Sequence, residues 1–86
     1  QGGEVNKLIA TLKLRFLHML EPEQQTRQID LMIEGTDTEV ARLDDLRASH
    51  ASDPGHLGEW LDHDIRQLES HLEWLEALRA RLMAPD

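Results

Sequence analysis

The chain of 86 residues has no cysteine, no tyrosine and a single phenylalanine, and nowhere does an apolar run approach the length of a membrane span. Without thiols no disulfide can brace so small a domain, and a reducing compartment is permitted. A spanning helix needs about 18 or more apolar residues, so no transmembrane segment is expected, and no secretion signal is recognisable. Basic residues are also scarce: nine Lys and Arg stand against seventeen Asp and Glu, a formal net charge of −8. The imbalance is uneven, since residues 1–20 hold Lys7, Lys13 and Arg15 against Glu4, a net +2, while the remainder carries −10. Phosphate contacts require a basic face, so the acidic remainder argues against nucleic-acid binding by this stretch itself.

Catalytic chemistry is equally thinly represented. There is no glycine-rich phosphate loop and no serine set in a nucleophile motif, so no catalytic residue, no cofactor and no enzymatic activity are expected. Histidine is the one titratable candidate. His56, Glu59 and His63 fall one and two turns apart on one helical face, and a Glu and a His at i, i+4 can hold one edge of a metal site. The plainer reading of that trio is a solvated acidic face, so no metal ligand is assigned. His18 and His71 are expected to be partly buried packing residues.

What the sequence does hold is periodicity. Leucine recurs at every seventh position of the last third, at Leu61, Leu68, Leu75 and Leu82, and Leu57, Ile65, Leu72 and Leu78 fall three or four residues from a neighbour. A stripe advancing by about 3.5 residues is the mark of helices packed lengthwise. A helix over 54–83 would run to roughly 45 Å, longer than a globule of this size is wide, and so needs a long partner. A second helix is predicted over about 22–50, with a seam of Ile29, Ile33, Thr36, Val40 and Leu43, flanked by Met32 and Leu46. Pro22 suits its first position, with Gln24 where a capping box wants Glu or Gln. Gly35 lies in mid-helix, either exposed and tolerated or marking a close helix crossing.

Between these arms, Ser52-Asp53-Pro54-Gly55 offers a turn, with Asp53 as N-cap and Pro54 as first residue of the third helix. A short turn makes antiparallel neighbours, hence a hairpin of two nearly equal arms. Within the third arm, Asp62–Arg66 and Glu76–Arg79 are spaced as local ion pairs. A first helix is predicted over about 5–20, with Val5, Leu8, Ile9, Leu12, Phe16, Leu17, Met19 and Leu20 at helical spacing and Leu14 widening the stripe toward a second neighbour. It reads either as a third core helix or as a connector between the hairpin and an upstream domain. Residues 1–3 read as a tag scar or linker, since no initiator methionine is present, and the chain is expected to be a piece of a longer protein.

Trp60 and Trp74 stand two heptads apart on one side of the third helix. In a chain this poor in aromatics they are expected to anchor a helix–helix or subunit interface, with a wall for a flat ligand as the other reading.

The order of parts is also similar to a known one. Leu12-Lys13-Leu14-Arg15-Phe16-Leu17, the break Leu20-Glu21-Pro22-Glu23-Gln24, a long charged helix and a final helix bearing Leu72-Glu73-Trp74-Leu75-Glu76 together resemble the C-terminal domain of PadR-type bacterial transcriptional regulators, the group that includes the virulence activator alpha proteins. The resemblance spans about residues 5–83. Its most specific element is Glu73 to Glu76, and it departs at Glu21, where a serine or threonine cap is expected. It implies a cytoplasmic homodimerisation module that contacts DNA only through an N-terminal winged-helix domain not included here. Some relatives sense small aromatic molecules near the dimer centre, although no residue match identifies a ligand.

Two rods side by side bury less than a compact chain, so a second copy, or another domain, is expected to supply the rest. The expectation is thus an all-α, coiled-coil-like dimer of three helices. Its interface would draw on Ile29, Ile33, Val40, Leu43, Leu61, Ile65, Leu68, Leu72, Leu75, Leu78 and Leu82, with Trp60 and Trp74 as anchors for a second subunit or an effector. The alternatives are an effector-sensing module with a ligand pocket at the dimer gap and a helical-hairpin adaptor for another protein.

Overall fold

The computed structural model describes the backbone of residues 2–84 and the side chains of residues 7–84, so Val5 of the expected first stripe lies outside the described side chains. The described chain is all-α. Helix α1 spans Gly2–Phe16 and passes through a short 3-10 turn, Leu17–Met19, into α2, Pro22–Ser49, and a loop then leads to α3, Leu57–Met83.

Helix α2 begins where its sequence demands. Glu21 is extended (φ −61°, ψ 149°) and gives no side-chain cap, while Pro22 opens the helix with a fixed φ and no N–H to satisfy. The bend is closed by Gln25 instead of Gln24: its Nε2 donates to the Leu20 carbonyl at 2.8 Å. Helix α3 begins three residues later than its turn signals predict. Asp53 Oδ1 accepts the backbone N–H of Gly55 at 2.7 Å, so this carboxylate closes a local turn and leaves the cap to His56, which makes no side-chain capping bond.

The long helices run antiparallel, with the early part of α2 against the late part of α3 and the reverse. Ile29, fully buried, packs with Leu75 and with Leu17 of the 3-10 turn, and Leu14, Met32, Ile33, Leu78 and Leu82 close around them. Nearer the loop, Leu43 packs with Leu61 and Ile65, flanked by Val40, Leu46, Leu57 and Leu68. Between the clusters, the Thr36 hydroxyl donates to the Met32 carbonyl at 2.8 Å, which lets a polar side chain occupy a seam position. Gly35 is the exposed, tolerated residue of the two readings, since a Cβ there would meet nothing within 4 Å.

Ion pairs cross the hairpin at both ends. Arg47 Nε donates to Asp62 Oδ1 at 3.0 Å near the loop, and Arg79 pairs with Asp30 at the other end. Asp62 and Arg79 therefore reach across to α2 instead of forming the local pairs with Arg66 and Glu76 that spacing alone indicates. Such part-exposed pairs are screened by solvent, so they fix register more than stability. Within α2, the Arg42 guanidinium holds the Glu39 carboxyl below its ordinary value, mainly through a hydrogen bond.

Two substitutions test this packing in denaturant unfolding. Ile29→Ala empties a fully buried site and is expected to cost about 2–5 kcal/mol. Gly35→Ala, at a helical position open to a methyl group, is expected to stabilise by up to about 1 kcal/mol.

Candidate protein–protein interface

The hairpin seam absorbs part of the apolar stripe on which an interface was expected. Ile29, Leu43, Leu61, Ile65 and Leu75 are buried within one chain, while Ile33, Val40, Leu68, Leu72, Leu78 and Leu82 are half-buried and keep surface for a neighbour. The large bare apolar side chains lie elsewhere: on α1 and at Met19 and Leu20 just after it, at Leu31 of α2, and at Trp60, Trp74 and Met83 of α3.

Helix α1 is apolar on two sides. At about 100° per residue, Leu14 lies opposite the stripe of Leu8, Ile9, Leu12 and Phe16. Leu14 packs on the hairpin cluster, whereas the four stripe residues are exposed, Leu8 to 60% and Phe16 to 50%. Lys13 and Arg15 flank that stripe, and the Arg15 guanidinium sits 5.6 Å from the centre of the Phe16 ring. Leu14 thus gives α1 its contact with the hairpin, while the stripe itself is left exposed.

On α3, Trp60 is 61% and Trp74 50% exposed. The His63 ring stacks on Trp60, with ring centres 5.9 Å apart and planes 25° from parallel, and its Nδ1 lies 3.9 Å from Asp64. His56 instead meets Glu59, Nδ1 to Oε1 at 2.9 Å. The trio His56, Glu59 and His63 is thereby divided, because His63 turns to the tryptophan. Among the described residues no group of three or more His, Asp or Glu is placed to hold a metal ion. His18 and His71, expected to be partly buried, are exposed.

Two shallow, open hollows mark the surface. One is lined by Arg66, Glu69, Ser70, Leu72 and Glu73 of α3, the other by Leu20 and by Gln24, Arg27, Gln28 and Leu31 of α2. Neither of these two hollows is lined by Trp60 or Trp74.

The surface thus combines an exposed face of α3 bearing Trp60 and Trp74, an exposed apolar stripe on α1 and an acidic hairpin. The family model described as "Putative AphA-like transcriptional regulator" matches residues 1–79, and the chain belongs to that family. No curated protein matches the chain.

Zinc titration followed by calorimetry is expected to give no binding heat, since the one paired His and Glu of the trio are both highly exposed. A saturable heat at one ion per two chains would contradict this division of the trio.

Proposed function

We propose that this chain is the homodimerisation domain of a transcriptional regulator of the AphA-like family. In this reading it is a non-catalytic, cytoplasmic module that sets the spacing of two DNA-binding domains of winged-helix type carried elsewhere in the bacterial protein. The observation that carries the proposal is surface area. A compact monomer of 9.9 kDa exposes about 5,200 Å², whereas this chain exposes 6773 Å², an excess of about 1,600 Å². That excess lies within the area each partner buries in an obligate homodimer, about 1,000–2,500 Å².

Its origin is the shape, 52 × 27 × 14 Å, which leaves both broad sides of the hairpin without a covering layer. Charge supports the same reading. Contacts to DNA would fall to another domain, because α2 and α3 are acidic, and α1 contributes only Lys7, Lys13 and Arg15. No helix among the described residues is long and apolar enough to cross a membrane.

Multi-angle light scattering at tens of micromolar is expected to give about twice the 9.9 kDa chain mass. A homogeneous, helical species of single-chain mass would contradict the proposal and favour an adaptor that waits for a different protein.

A further inference from the structure

The outer side of α3 reads the same in both directions. Trp60, His63, Gln67, His71 and Trp74 are separated by steps of three, four, four and three residues, so the sequence Trp, His, Gln, His, Trp is a palindrome centred on Gln67. At about 100° per residue these positions fall within an arc of about 80°, a single continuous face. All five are exposed, and the face is distinct from the seam that buries Leu61, Ile65 and Leu75.

We propose that this ridge is the surface by which two copies of the chain pair, α3 against α3 in antiparallel order, with the twofold axis passing through Gln67. The proposal rests on the dimerisation reading above and specifies its register. An interface around a twofold axis must be complementary to itself, so that when residue i touches residue j of the second subunit, j also touches i. The palindrome meets that condition. Trp60 lies against the partner subunit's Trp74, His63 against the partner subunit's His71, and Gln67 against Gln67 of the partner subunit. The Gln amide both donates and accepts, so it can pair with its own copy. The tryptophans stand about 21 Å apart along the helix and anchor both ends of the contact.

Charge along the ridge is compatible with a second copy. Two chains of net charge −8 repel, and α3 carries six acids, among them Glu69, Glu73 and Glu76. Those three acids turn to the other side of the helix, and none of the five ridge residues bears a carboxylate. Two acids border the ridge, and each has an imidazole as its neighbour: Asp64 beside His63 and Glu59 beside His56. The ridge is therefore the strip of α3 along which a like-charged copy can approach closely.

The absence of native cysteine makes the register directly measurable. Single-thiol variants Gln67→Cys, His63→Cys and His71→Cys are oxidised under mild conditions. Gln67→Cys is expected to form a covalent dimer by itself. His63→Cys and His71→Cys are each expected to stay unlinked, because a position four residues from the axis lies about 12 Å from its own copy, beyond disulfide reach. Their equimolar mixture is expected to form the mixed dimer. Self-linking of His63→Cys as readily as the mixture would indicate parallel pairing and overturn the proposal. Failure of both Gln67→Cys and the mixture to link, in samples that light scattering shows to be dimeric, would overturn the register and leave dimerisation standing. A monomeric wild-type chain would remove both. Independently, Trp74→Ala is expected to raise the dimer dissociation constant by about 30-fold or more while helicity is kept. An unchanged constant in a fully helical variant would contradict the ridge as the contact.

Discussion

The structure depends on one narrow seam. Two helices, Pro22–Ser49 and Leu57–Met83, bury Ile29, Leu43, Leu61, Ile65 and Leu75 along a single line, and the 3-10 turn adds Leu17 to that line. Apolar burial at about 25 cal/mol per Å² drives such packing, and a line of contact provides less of it than a layered core. Everything else about the molecule follows from this shortage: the elongated shape, the exposed tryptophans and the apolar stripe of α1 that faces no neighbour.

The polar groups adjust to that seam. Arg47 with Asp62 and Arg79 with Asp30 tie the arms at opposite ends, so a shift of α3 along α2 would break both pairs at once. Thr36 satisfies its own hydroxyl within α2, and no buried side-chain nitrogen or oxygen among the described residues lacks a partner. The hairpin is thus internally consistent as a rod. Its incompleteness is apolar and lies on its outer faces, which is the condition under which association with another protein surface is favourable.

Much of the fold was legible in the sequence, because heptad spacing of leucines and a proline-marked break depend only on local geometry. The three helices, their order and the hairpin follow from those signals. The start of α3 did not, since Asp53 has two uses, helix cap or closure of a turn on Gly55, and only the three-dimensional course of the loop decides between them. The ion pairs were misjudged for a related reason: spacing within α3 reveals Asp62–Arg66 and Glu76–Arg79 but not the α2 partners brought near by the fold. The seam itself was readable as an apolar edge, yet periodicity alone does not say whether the facing helix belongs to the same chain. The shared side of Trp60 and Trp74 was legible from their two-heptad spacing, while their exposure required the structure.

The central claim is that a second copy covers what one hairpin leaves bare, so folding and association should be coupled. The most direct test is the urea midpoint of helix unfolding measured over a hundredfold range of protein concentration. The account predicts that the midpoint rises with concentration, as mass action requires when dimerisation stabilises the fold. A midpoint independent of concentration, in a cooperative transition starting from a single-chain species, would contradict it.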